Sequence, residues 1–342
     1  MTFGLTESLL LRDRPSGAVI REFSMPEELT VSTWAVTELT PRIRLYEFVP
    51  AEEGMILPSF EAGSHITLCL PSGLKRQYSL CNDPAERNRY VVAIQREDMG
   101  RGGSVEAHGK IGAGTSLVIE RPRNLFPLDA DAERSLFTAG GIGITPILSM
   151  IRQLQREGRD FHLLYLARSA EEAAFLDVLS SPEFSGRVTV HYDGGDPARL
   201  FDLRSWLRNP SEGSHLYCCG PEPLMKAVGA AASHWPEGSV HFEHFTNEAA
   251  GPAEGDQPFT VTLARSGVSF EVPAGRSILS VLLENGFDVD FSCEEGTCGT
   301  CITRLVEGEA DHRDTVLTEG ERDGSIVICC SRARTPSITI DL

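Results

Sequence analysis

The 342 residues are 41% hydrophobic and 23% charged, with a formal net charge of −18. That length suggests two or three domains with ample core material, and the acid excess excludes nucleic acid as a partner, because phosphate recognition needs a basic face. The most apolar long stretch, residues 136–151, contains three glycines and a proline and is too short to span a membrane. Nine cysteines, an odd number, point to a reducing compartment. Residues 1–7 have no basic leader before an apolar run, so the expected location is cytoplasmic.

Residues 1–28 show no periodicity and read as an arm. Short β-type runs at 31–38, 42–50, 65–70, 77–81 and 90–96, separated by turn signals, predict a small antiparallel barrel within a domain spanning 29–130. From 131 to 246 the pattern changes to alternation. Strands are expected at 135–139, 162–167, 187–192, 215–219 and 240–245, with helices at 147–157, 171–179, 203–207 and up to 232. Such alternation implies a parallel, doubly wound sheet. Residues 247–258, rich in Ala, Gly, Pro and acids, read as a linker. A last unit over 259–342 begins with a hairpin (259–263, 268–272) and a helix at 278–284. Strands at 302–307, 326–330 and 337–340 complete it.

Three runs in the first two domains carry chemistry. Arg76-Gln77-Tyr78-Ser79 in a strand is, by itself, equally an exposed arginine beside a core tyrosine. It gains meaning from the downstream Gly100-Arg101-Gly102-Gly103-Ser104, a glycine turn able to present N–H groups to a phosphate. Together they suggest a flavin site. Gly140-Gly141-Ile142-Gly143-Ile144-Thr145-Pro146 places small residues at a strand-to-helix turn, where a pyrophosphate can meet a helix N-terminus or where the chain simply turns tightly. Cys219-Gly220-Pro221 ends a later strand, on the edge where open α/β sheets bind ligands, so that Cys219 is a candidate neighbour of a nicotinamide ring.

The fourth run is Cys293-x4-Cys298-x2-Cys301, followed 27 residues later by Cys329. This is the plant-type spacing for four thiolates on a [2Fe–2S] cluster. Gly296 and Gly299 suit a backbone wrapped closely around sulfides. A zinc site would more often show paired C-x2-C units or histidine. Cys330 follows Cys329 directly, and strand alternation would point the two to opposite faces.

These four motifs, in this order, resemble the phthalate dioxygenase reductase family, to which vanillate O-demethylase reductases belong. The resemblance covers about residues 30–342. It implies a multidomain β, α/β and α+β fold: an antiparallel flavin-binding β-barrel, a parallel-sheet nucleotide-binding domain of the ferredoxin-reductase type, and a C-terminal plant-type ferredoxin (β-grasp) domain. It implies an NADH-dependent oxidoreductase that passes electrons through FMN and a [2Fe–2S] cluster to a separate Rieske-type oxygenase.

By the same resemblance Arg76, Gln77, Tyr78, Ser79, Ile94, Gln95, Arg96, Gly102, Gly103, Ser104 and Thr145 surround FMN. Gly140, Gly141, Gly143, Pro146, Arg168, Ser169, Gly220 and Pro221 take the dinucleotide. Ser79, Cys219 and Phe245 stand at the hydride-transfer centre, with Phe245 covering the ring where nicotinamide enters. Cys293, Cys298, Cys301 and Cys329 hold the cluster, the register favouring Cys329 over Cys330. Acidic Asp193 and the absence of a basic cluster favour NADH over NADPH, although Arg168 suits either a ribose or a 2′-phosphate. His65, His108, His241 and His244 read as structural or exposed. A monomer is expected. The alternatives are an FAD-dependent reductase of a di-iron hydroxylase, whose ferredoxin module is usually N-terminal, and a redox-sensing iron–sulfur flavoprotein.

Overall fold

In the computed structural model, which describes residues 28–52, 54–245, 247, 250–251 and 253–342, the first sheet grows from one long strand, β1 (Glu28–Thr40). It pairs antiparallel with β2 (Ile43–Pro50) on one side and with β6 (Ser116–Glu120) on the other. Outward from β2 lies β5 (Tyr90–Gln95), and outward from β6 lie β3 (Ser64–Cys69) and β4 (Lys75–Ser79), with the short β7 (Arg123–Asn124) beside β3. A bridge between Leu80 and Val92 joins the two ends and closes the barrel. Its interior is filled by Tyr46, Phe48, Ile66, Leu68, Leu80, Tyr90, Val92 and Ile94. Closure leaves no free edge to aggregate. The last two strands were not among the expected runs: β6 continues past the glycine turn at Gly114, with Leu117 and Ile119 inward, and β7 has only two residues.

The second sheet is wholly parallel: β8 (Arg134–Gly140), β9 (Asp160–Ala167), β10 (Val188–Tyr192), β11 (Ser214–Cys219) and β12 (Val240–Glu243), in the order β10-β9-β8-β11-β12. The order reverses between β8 and β11, so Gly140 and Cys219 end the two strands that flank the topological switch point. The helix Ile144–Glu157 buries Ile147, Met150, Ile151 and Leu154 against this sheet and stops at Gly158, φ 69°. The helix expected over 171–179 is confined to Leu176–Leu179. Phe175 adopts a left-handed φ of 64°, which no helix continues through, and the N–H of Ala174 donates instead to the hydroxyl of Tyr165 at 3.1 Å.

The third unit has a mixed sheet in the order β14-β13-β19-β15-β17, built from β13 (Phe259–Leu263), β14 (Ser269–Val272), β15 (Ile302–Glu307), β17 (Ser325–Val327) and β19 (Ser337–Ile340). A pair β16 (Ala310–Asp311) and β18 (Arg332–Ala333) lies beside it. The helix Ile278–Glu284 starts at an N-cap, Ser277, whose hydroxyl accepts from Ser280 N at 3.1 Å, and buries Ile278, Leu279, Val281 and Leu282. This is the β-grasp arrangement that the family resemblance implies. The strand expected over 326–330 ends at Val327, and residues 328–330 form a turn. Alternation therefore does not govern where Cys329 and Cys330 point. Among the described residues no helix is long and apolar enough to cross a membrane.

Candidate redox site

At the switch point the two turns are packed so closely that only glycine fits. A Cβ on Gly143 would overlap the carbonyl oxygen of Cys219, and one on Gly140 would lie 2.7 Å from Leu224 and 2.8 Å from Pro221. These two glycines let the turns meet. Gly141, with φ 53° and nothing near its missing side chain, faces open space. Thr145 steadies the turn by donating to the carbonyl of Ile142 at 3.0 Å, while Pro146 is buried in the first helical turn.

That open space is a cleft of about 1850 Å³ walled by all three units. The barrel contributes Arg76, Gln77, Tyr78, Ser79, Gln95, Gly103 and Ser104. The parallel sheet contributes Gly140, Gly141, Gly143, Thr145, Arg168, Ser169, Asp193, Gly220, Pro221 and Phe245, and the third unit adds Cys293, Glu295 and Thr297. Five expected flavin- or nucleotide-site residues stand back from it, among them Pro146, buried in its helix. Ile94 belongs to the barrel core, and its carbonyl lies 2.8 Å from a ring nitrogen of His108. Arg96 turns outward to Asp98 at 2.7 Å, Gly102 forms the left-handed residue before the next helix, and Cys219 is fully buried behind the turn.

The barrel side of the cleft is cationic. Arg76 lies across Gly103, where a Cβ would come 2.6 Å from its Cγ, and donates to the carbonyls of Lys75 (2.7 Å) and Arg101 (3.2 Å). Burial, then the neighbouring Arg101, lowers its pKa, so an anion beside it would be well received. Deeper in, Ser79 Oγ donates to Glu243 Oε2 at 3.4 Å, and the Cys219 thiol lies 3.9 Å from the same oxygen. Burial pushes the Glu243 carboxyl up to about 8, and burial together with Glu243 raises the Cys219 thiol well above its usual value. Carboxyl and thiol thus both favour their protonated forms, grouped with a hydroxyl on the cleft wall. His65, 5% exposed, lines the same cleft; burial, then Arg123, pushes it down to about 4, and its Nε2 has no hydrogen-bond partner among the described residues. Phe245, 37% exposed, stands in the wall.

The cysteine loop closes the far side. Cys293, Cys298, Cys301 and Cys329 are all buried. All are free thiols, with Cys293 interacting with Cys298 and Cys329, and Cys301 with Cys329. The N–H groups of Glu295 and Thr297 donate to Cys293 Sγ at 3.3 and 3.4 Å; the thiols of Cys298 and Cys329 above all, then the Thr297 side chain and the Glu295 N–H, hold its pKa far below the usual thiol range. Gly296 (φ 70°) and Gly299 (φ 71°) take left-handed turns, and Glu294 does so at φ 58° without being glycine. Cys330 reaches only the rim of this group: its side chain interacts with the Cys329 thiol but with none of the other three, its Sγ lies 3.8 Å from the carbonyl of Val327, and a Cβ on Gly296 would collide with it. Four converging thiols, backbone donors aimed at sulfur and glycine where the backbone must come close together fit a thiolate-bound iron–sulfur cluster.

Comparison with known proteins agrees with this geometry. Residues 261–334 match the 2Fe-2S iron-sulfur cluster binding domain family. The phthalate dioxygenase reductase of Burkholderia cepacia is 49% identical over 291 residues, which are 85% of this chain and 90% of that one. The chain belongs to the phthalate dioxygenase reductase family. The vanillate O-demethylase oxidoreductase of Pseudomonas putida is 45% identical over 85% of this chain and 93% of its own. A solved phthalate dioxygenase reductase, described as a modular structure for electron transfer from pyridine nucleotides to [2Fe-2S], superposes with a TM-score of 0.75 at 46% identity, covering 92% of this chain and 98% of its own.

Members of this family are oxidoreductases, reductase components of oxygenase systems. The reductase described here has the same three-unit fold and a C-terminal [2Fe–2S] domain. Sequence reasoning passed over Glu243, His65 and Arg101. A lone carboxylate at the end of a strand, in His241-Phe242-Glu243-His244-Phe245, was the available signal for the first. Nothing local in the sequence marks the other two, whose neighbours arrive from distant segments.

Proposed function

We propose that this reductase passes electrons from NADH through FMN to its [2Fe–2S] cluster, and from there to a Rieske-type oxygenase that is a separate protein. One observation carries the reading: a single cleft joins Ser79, the Gly141 turn and Cys293, so that a pyridine nucleotide, a flavin and the cluster loop fit side by side. Three features of the cleft suit FMN. They are the cationic wall at Arg76, the bare backbone of Gly103 beneath it, and the unpartnered Nε2 of His65.

In this reading Arg76, Gly103 and Ser104 hold the phosphate on the turn that Gly102 starts, and Gln77, Tyr78, Ser79, Gln95 and Thr145 border the ring, with Ile94 behind them in the barrel core and Arg96 turned outward. Gly140, Gly141, Gly143, Pro146, Arg168, Ser169, Gly220 and Pro221 form the dinucleotide seat, with Asp193 on the ribose side favouring NADH. Bound FMN supplies the conversion of a hydride, delivered as an electron pair, into single electrons that the cluster can accept. Ser79 orients the reacting edge, Glu243 holds a proton beside it with Cys219 behind, and Phe245 shields the ring from water until nicotinamide arrives. Cys293, Cys298, Cys301 and Cys329 bind the cluster. The free thiols suit a reducing cytoplasm, and the protein acts as a monomer.

The test is an anaerobic titration of the purified holoprotein with NADH. Both flavin and iron–sulfur absorbance should bleach, acid should release FMN, and a Rieske oxygenase should then reoxidise both centres. Release of FAD would favour the di-iron hydroxylase alternative, and failure of NADH to bleach either centre would overturn the electron-transfer reading.

A further inference from the structure

The turn that carries the phosphate-binding glycines also grips the cluster loop. Arg101 Nη2 donates to the carbonyl of Cys293 at 2.9 Å and pairs with Glu295 at 2.8 Å. The carbonyl of Arg101 in turn accepts from Arg76 at 3.2 Å, so one short chain of contacts runs from the cationic wall of the cleft to the first cluster cysteine. The barrel holds the loop at two further points. Gln77 Nε2 donates to Ser292 Oγ at 3.2 Å, with Thr67 Oγ1 at 3.2 Å from the same hydroxyl, and Arg123 Nη1 donates to Thr300 Oγ1 at 3.2 Å.

We propose that Arg101 is a positioning residue for the flavin-to-cluster step: it clamps Cys293 to the phosphate-binding turn, so that occupation of the flavin site fixes the cluster at its electron-accepting position. The inference rests on the proposed function. In the step it serves, one electron leaves the reduced flavin and enters the oxidised cluster; no bond to Arg101 or Glu295 forms or breaks. Three features make Arg101 the coupling element. It belongs to the same turn as Gly102–Ser104, its planar guanidinium satisfies a carbonyl and a carboxylate at once, and both acceptors lie in the cluster loop. The coupling is reciprocal, so an anion held at Arg76 stiffens the cluster loop and an ordered loop favours retention of the flavin.

The test uses the FMN- and cluster-loaded protein, with Arg101→Ala and Glu295→Ala beside the wild type. Anaerobic stopped-flow mixing with NADH separates bleaching of the flavin from bleaching of the cluster, and hydrogen exchange follows the amides of 292–297. Both variants should keep the cluster absorbance, slow cluster bleaching roughly tenfold and exchange faster at 292–297. Wild-type rates together with wild-type exchange in Arg101→Ala would overturn the clamp. So would an Arg101→Ala protein whose cluster bleaching falls only in proportion to lost FMN, because Arg101 would then act on flavin retention alone. If NADH bleaches neither centre of the wild type, the proposed function is what fails, and the exchange measurement still reports on the clamp.

Discussion

Cys329 and Cys330 are adjacent in sequence and both buried, yet only Cys329 interacts with the thiols of Cys293 and Cys301. Cys329→Ser should therefore abolish the visible and EPR signatures of the cluster, while Cys330→Ser should keep them and cost stability only through the small space beneath Gly296. The reverse result would exchange their roles. Glu243 allows a second test at this scale. Its folded pKa of about 8 exceeds the usual 4.5, so the folded chain keeps a proton that the unfolded chain releases. The stability tied to that proton is fully present below about 4.5 and is lost as pH rises toward 8. Glu243→Gln cannot titrate, and its urea midpoint should lack this decline between pH 5 and 8. A parallel decline in both proteins would mean that Glu243 is already ionised in the native state.

The elements that hold the site are set by close approach, and this decides what sequence reading can find. Gly143 is needed because the Cys219 carbonyl lies where its side chain would be, so Gly143→Ala should cost about 2–3 kcal/mol of stability, measured by denaturant unfolding. Gly103→Ala pushes instead on the flexible Arg76 side chain; it should weaken FMN binding roughly tenfold while leaving the melting temperature of the flavin-free protein unchanged. An effect of Gly103→Ala on the flavin-free protein would place that glycine in the fold rather than the site. Glycine turns, hairpins and the helix at Ile278–Glu284 were legible because their signals are local. The early break at Phe175 was not, since a phenylalanine at φ 64° gives no sign of itself in a run that otherwise suits a helix. The turn that separates Cys329 from Cys330 was equally hidden behind an apolar, strand-like run. Arg101 and Ser292 escaped for a different reason: their partners are contributed by another domain, and no window of sequence contains them. His65 escaped because its burial and its neighbour Arg123, far along the chain, are set by the barrel's closure.

Across the whole molecule, the segment expected to be a plain linker is fastened to the third unit. Asp256 forms an ion pair with Arg313 at 2.5 Å, both side chains largely buried, and lies 3.6 Å from Arg332. Asn247 Nδ2 donates to the carbonyls of Glu295 (3.0 Å) and Arg313 (2.5 Å), so residues near both ends of the segment are tied to the unit that carries the cluster. These ties shorten the free length of the tether, while the unit itself is joined to the barrel by Arg101, Gln77 and Arg123. Asp256→Ala leaves Arg313 with Asp311 at 2.8 Å but removes its bidentate partner, and the unfolding free energy of the third unit should fall by about 3 kcal/mol. The hydrogen bonds from Arg313 depress the Asp256 carboxyl to about 2, so its contribution is present above about 3.8 and is lost as pH falls through 2. Wild type and variant should differ in circular-dichroism melts at pH 7 and converge in acid. Limited proteolysis at pH 7 should cut the variant within residues 247–258 while the wild type resists. Equal cutting of both, with equal melts, would mean that these ties do not hold in solution and that the segment is a free tether.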